Sequence, residues 1–131
     1  MREILFRGKQ IYDDGEWIIG HYACRYGTHY IYFPKTNPYS FDHEFIIPET
    51  VGQYTGLTDK NGTKVFEGDI VKVSYTGGFE IGTISWSNLN FRFCFNTPEG
   101  FSYGFNVSDE FEVIGNIHDN PELIEGETDN A

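Results

Sequence analysis

Apolar and aromatic residues along this chain come in short runs that alternate with polar ones at a period of two. Glycine, proline and asparagine break the runs at short intervals. In Ile70–Tyr75, Val71, Val73 and Tyr75 fall on one face and Lys72 and Ser74 on the other. Phe91, Phe93 and Phe95 alternate in the same way with Arg92 and Cys94. Further extended segments are predicted at Arg2–Arg7, Glu16–Tyr26, His29–Phe33, Phe45–Ile47, Val51–Thr55, Phe101–Val107 and Phe111–Ile117. In Phe79–Trp86 the inward parity switches from Phe79 and Ile81 to Ile84 and Trp86, as a bulge or barrel corner beside Gly82 would produce. Helix is confined to Asn120-Pro121-Glu122-Leu123: an N-cap residue type, a proline at the first helical position and then an acid.

Turn chemistry sets the boundaries. Asp13-Asp14-Gly15, Gly27-Thr28 and Gly77-Gly78 read as turns, and Pro34–Ser40 as a loop. Asn61-Gly62 predicts a two-residue hairpin of type I′, whose central positions both need φ > 0. Glu67-Gly68-Asp69 reads as a tight turn launching the next strand. Gly52, Gly56, Gly62 and Gly68, with Asn61 and Asp69, are the residues expected to fix the turns. The result is an all-β chain with an N-terminal β region over residues 1–48, packed on a small barrel over residues 49–118. Strand parity gives that barrel an interior of Val71, Val73, Ile84, Trp86, Phe93 and Val113. Residues 119–131 form an acidic hook with a short helical turn, and 126–131 read as unstructured.

Composition supports a β fold, with 12 Phe, 9 Tyr and 2 Trp among 131 residues and a single Met. Cys24 and Cys94 are far apart, so both read as reduced thiols of a cytoplasmic protein. The N-terminus carries no apolar run of signal-peptide length, and nothing approaches the ~20 apolar residues of a membrane span. The net charge of −11 divides into −2 over residues 1–50, −4 over 51–118 and −5 over 119–131. With nine Lys and Arg and no cluster of them, phosphate-backbone binding is not expected.

Gly52-Gln53-Tyr54-Thr55-Gly56-Leu57-Thr58-Asp59-Lys60-Asn61-Gly62, followed by Phe66-Glu67-Gly68-Asp69-Ile70-Val71, resembles the hallmark segment of the YopX family. The opening Met1–Arg7 and the closing Glu112–Leu123 are similar to that family's ends. The resemblance implies an accessory protein of bacteriophages and prophages of Gram-positive bacteria, acting in the host cytoplasm. It also implies that the C-terminal barrel is SH3-like. It brings no catalytic residues and no cofactor.

Candidate chemistry is thin. His21, Cys24, His29 and His43 invite a metal reading, but His21 and Cys24, three apart on one strand, point to opposite faces. Cys94, between Phe93 and Phe95, reads as a small strand residue. No Gly-x-Ser-x-Gly, P-loop, dinucleotide fingerprint or His-Glu-x-x-His occurs, although a site built from separated strands would leave no local signature. Neither a catalytic site nor a metal or other cofactor is expected.

The aromatic excess remains, with 7 of the 23 aromatic residues in positions 22–41. Tyr30 and Tyr32 share a strand face opposite Ile31 and Phe33. They form either an exposed stripe or one side of a strand buried on both faces. An interface of Tyr22, Tyr26, Tyr30, Tyr32 and Tyr39 follows from the first reading. The leading expectation is a non-enzymatic protein working through contacts with itself, as a homo-oligomer, and with a host or phage protein. One alternative is an acidic nucleic-acid mimic inhibiting a host DNA-binding enzyme. Against it, the −6 left over residues 1–118 is ordinary for solubility. The other is a small barrel binding nucleic acid by aromatic stacking, which the scarcity of Lys and Arg opposes.

Overall fold

The computed structural model describes residues 3–12, 15–34, 41–104 and 110–125. These form eleven strands and one helical turn: β1 (Phe6–Lys9), β2 (Trp17–Arg25), β3 (Thr28–Pro34), β4 (Phe41–Phe45), β5 (Gly52–Thr58), β6 (Lys64–Phe66), β7 (Asp69–Tyr75), β8 (Gly78–Ser87), β9 (Arg92–Asn96), β10 (Ser102–Gly104), β11 (Glu110–Asn116) and α1 (Glu122–Glu125). A 3-10 turn over Pro48–Thr50 precedes β5. The expected β class holds, and no helix among the described residues is long and apolar enough to cross a membrane.

The strands run in two antiparallel sheets, ordered β4-β3-β2-β1-β5-β6 and β10-β9-β8-β7-β11. The chain divides into two compact units, Met1–Tyr54 and Thr55–Ala131. The expectation of a closed barrel needs correction, because the five-stranded sheet is open among the described residues. Its edges are β10, which has three residues and bonds to β9, and β11, which bonds to β7. The other two strands of that stretch, β5 and β6, pair with each other in the six-stranded sheet.

Within the second unit, Val65, Val71, Ile84, Phe95 and Phe111 are buried together, with Leu57, Val73, Phe93 and Val113 packed against them. The parity of β7 is thus the predicted one. Trp86 is the exception to the expected interior. It lies near the end of β8, is 40% exposed, and packs edge-on against Phe93 with ring centroids 5.0 Å apart.

Parity does not switch in β8 either. The β7–β8 ladder is unbroken from Ile70↔Thr83 to Tyr75↔Gly78, so Gly82 and Ile84 share the core face and Phe79 and Ile81 lie on the other. Gly82 is needed for a close approach: a Cβ there would stand 2.5 Å from the Asn96 carbonyl oxygen. The register shift of this sheet falls instead in β11, between Val113 and Gly115.

The turns also differ from the reading of their sequences. Asn61-Gly62 does not form a type I′ turn, because only Gly62 has positive φ, at 81°. The Gly62 N–H bonds to the Asp59 carbonyl, and the Asp59 N–H to the Thr63 carbonyl. This is a type I turn closed by a left-handed glycine, a three-residue loop. Asp59 decides it, since its Oδ1 accepts from the N–H groups of Asn61 and Thr63, each at 2.9 Å.

Gly68 (φ 88°) turns as expected, and the buried Asp69 carboxylate takes the Phe66 N–H at 2.7 Å. Gly56 (φ 90°) lies inside β5 rather than in a turn. Beside it the Thr55 hydroxyl donates to the Val65 carbonyl and accepts from the Leu57 N–H. Gly52 is an extended residue of β5 opposite Arg7.

At the C-terminal end, Asn120 does not cap α1. Its Oδ1 accepts from the Asn116 N–H, and its own N–H bonds to the Asn116 carbonyl, closing the hook.

Candidate functional site

The type I′ turn sits elsewhere. Arg25 and Thr28 pair across a two-residue turn in which Tyr26 (φ 52°) and Gly27 (φ 78°) are both left-handed. A tyrosine there is strained by roughly 1–2 kcal/mol relative to glycine, and its side chain is 99% exposed. The strain gains the side chain no burial among the described residues. Beside the tip lies a hollow of about 360 Å³ lined by Ile11, Tyr12, Gly27, Thr28, Phe45 and Pro48, with His29 and Ile46 at its wall. Ile11, Tyr12 and Phe45 are 52%, 64% and 40% exposed, so an apolar surface surrounds it.

The hairpin register sorts the other aromatic residues onto two faces. On one face Tyr30 pairs with Phe45 and Tyr32 with His43. Tyr30 and Tyr32 meet edge-on at 5.1 Å, and His43 lies 5.7 Å from each. Tyr30 is buried and Tyr32 half-buried, while Ile31 on the opposite face is fully buried. The strand is therefore covered on both faces, and the exposed stripe of tyrosines does not exist. Burial is the main cause pushing the Tyr30 phenol above its usual pKa, with the Tyr32 hydroxyl adding to it and Arg25 opposing.

On the other face Cys24 lies directly opposite His29, with Tyr22 two residues before it. The Tyr22 hydroxyl is 2.5 Å from His29 Nδ1, and Cys24 Sγ is 3.7 Å from Nε2. The Tyr22 ring stacks on His29 at 5.9 Å and touches Phe6 at 5.8 Å. Burial first, and the Cys24 sulfur second, push the Tyr22 phenol up, so it carries its proton at neutral pH. His21 pairs with Tyr32 across the sheet and is exposed, on the face away from Cys24, as the spacing required.

The predicted interface residues thus scatter. Tyr26 is at the tip, Tyr22 in the Cys24–His29 cluster, and Tyr30 and Tyr32 in the opposite-face aromatic cluster, while Tyr39 lies outside the described residues. The Cys24–His29 pair was missed because it depends on the register. Cys94, the other thiol, is buried.

The second unit has a groove of its own, of mixed polarity and about 340 Å³, lined by Phe79, Ile81, Pro98, Phe101, Tyr103 and Leu123 with Glu80 and Glu99. Phe79 and Ile81 reach it because they lie on the face of β8 away from the core.

The YopX protein family model matches residues 6–125. Among solved structures, that of protein EF1440 from Enterococcus faecalis superposes with a TM-score of 0.63 at 26% identity, over 95% of this chain and 100% of that one. No curated protein matches the chain. The family match covers nearly all the described residues, including the Asp59 loop and the Gly68-Asp69 turn, and the chain belongs to the YopX protein family.

Proposed function

We propose that this protein works without catalysis, through protein–protein contact, and that its first partner is a second copy of itself. The observation that carries the reading is Tyr26. A ring held out in solvent on a strained left-handed backbone is a feature the fold does not need, and such strain persists where it serves a contact. The tip and the hollow lie side by side on one surface, because Gly27, the next residue, lines the hollow. A knob beside its own socket is self-complementary under a two-fold axis: each Tyr26 enters the hollow of the other copy. Tyrosine suits that role as a rigid, amphipathic anchor. The setting proposed with it is that of an accessory protein of phages and prophages acting in the host cytoplasm, a reading the family resemblance supports.

Sedimentation velocity at micromolar concentration tests this. The unmodified chain is expected to run as a dimer and Tyr26→Asn as a monomer. Asparagine tolerates the left-handed conformation, so this variant loses the ring without losing the fold. A monomeric unmodified chain, or a Tyr26→Asn dimer of unchanged affinity, would refute the proposal.

A further inference from the structure

We infer that Cys24 and His29 form half of a tetrahedral site for a zinc-class divalent ion, and that a second copy of the chain completes it with its own Cys24 and His29. This rests on the reading that the β2–β3 hairpin end meets its counterpart in a dimer. Three observations carry it.

The first is spacing. Zinc bound by a thiolate at ~2.3 Å and an imidazole at ~2.0 Å, at the tetrahedral angle, places S and N about 3.5 Å apart. Cys24 Sγ and His29 Nε2 are 3.7 Å apart, on strands held in fixed register by the two-residue turn. Little movement is needed to admit an ion between them.

The second is the far side of the imidazole. A histidine that binds metal through Nε2 presents an Nδ1–H, and that proton needs an acceptor which also fixes the ring. The Tyr22 oxygen stands at Nδ1, and the stacked phenol ring limits rotation of the imidazole. In the metal-bound form Nδ1–H donates to the Tyr22 oxygen and leaves the Nε2 lone pair directed at the sulfur. Tyr22 is thus a positioning residue.

The third is incompleteness. Among the described residues no group of three or more His, Cys, Asp or Glu side chains could hold a metal ion, so one chain supplies two ligands where a structural zinc site takes four. Cys24 is exposed and lies two residues from Tyr26, at the hairpin end proposed to face its symmetry mate. The same two-fold axis that exchanges the Tyr26 rings would bring the two Cys24–His29 pairs together, giving a Cys₂His₂ set.

The experiment uses the full chain without a polyhistidine tag, stripped with EDTA and titrated with ZnCl₂ while its dimerisation is followed by sedimentation. CoCl₂ serves as the spectroscopic probe. Zinc is expected to tighten the dimer at least tenfold at one ion per two chains. Cobalt should give the intense visible bands of tetrahedral geometry together with a thiolate charge-transfer band. Cys24→Ser should abolish the zinc response and leave the metal-free dimer, and His29→Gln should abolish the zinc response. Tyr22→Phe should weaken zinc binding about 10- to 100-fold while keeping the stoichiometry. Zinc binding that leaves sedimentation unchanged, a cobalt complex with no thiolate band, or a response that survives Cys24→Ser would each overturn the inference. A dimer that forms equally with EDTA and with zinc overturns this inference alone, whereas a chain monomeric under both conditions overturns the proposed function with it.

Discussion

The Asp59 carboxylate accepts three backbone N–H groups: those of Asn61 and Thr63 on one oxygen, and that of Val113, fifty-four residues away, at 2.9 Å on the other. Burial by itself would raise its pKa. The three donors, with Lys60 nearby, outweigh burial and hold it below the ordinary 3.8. A folded-state value lower than the unfolded one contributes stability that is present above about pH 4 and lost as pH falls through the folded value. Asp59→Asn directs an amide N–H₂ at donors and should cost about 1–3 kcal/mol at neutral pH. Urea denaturation across pH should show the difference from the unmodified chain shrinking as pH falls from about 4 through the lower folded value, beneath which both side chains are neutral. A constant difference down to the acid limit would mean that the ionised form is not what the loop needs.

Strands and their faces were largely legible from alternation, since Val71, Val73, Ile84 and Phe93 turn inward as the period of two requires. Turns were less legible, because Asn61-Gly62 carries the strongest local signal yet Asp59 overrides it with side-chain bonds no dipeptide rule includes. Tyr26-Gly27 carries a weaker signal and forms the tight turn. That error propagates: a turn centred on Gly27-Thr28 would place Cys24 opposite Ile31, whereas a turn at Tyr26-Gly27 places it opposite His29. The candidate site was hidden by one residue of register. Gly82 signals a bulge in the sequence, although what it provides is room beside Asn96. Gly82→Ala should therefore destabilise by at least ~1–3 kcal/mol, the cost of overpacking, and more than an alanine at the exposed Gly78. Equal midpoints in urea for the two variants would remove the close-approach argument.

At the scale of the whole chain, the resemblance carried by three separated segments extends to a family match over residues 6–125, whereas the closed barrel it implied does not appear among the described residues. The acidic C-terminal segment is the part whose removal is easiest to forecast. Ile124 is half-buried and, with Thr83, Asn96, Thr97 and Pro98, lines a small cleft. A chain ending at Glu125 should melt within a few degrees of the full chain, while one ending at Leu123 should melt lower, as circular dichroism would report. The place of β11 has another consequence, for the order of events at the ribosome. The first unit is complete once residue 54 has emerged, and it can fold while translation continues. In the second unit β7 waits for β11, which arrives only after residues 76–109 have been made. During that interval a valine-rich strand has an uncovered edge, the kind of template on which nascent chains of a polysome join one another. The time taken to translate residues 76–109 sets how long that edge stays uncovered.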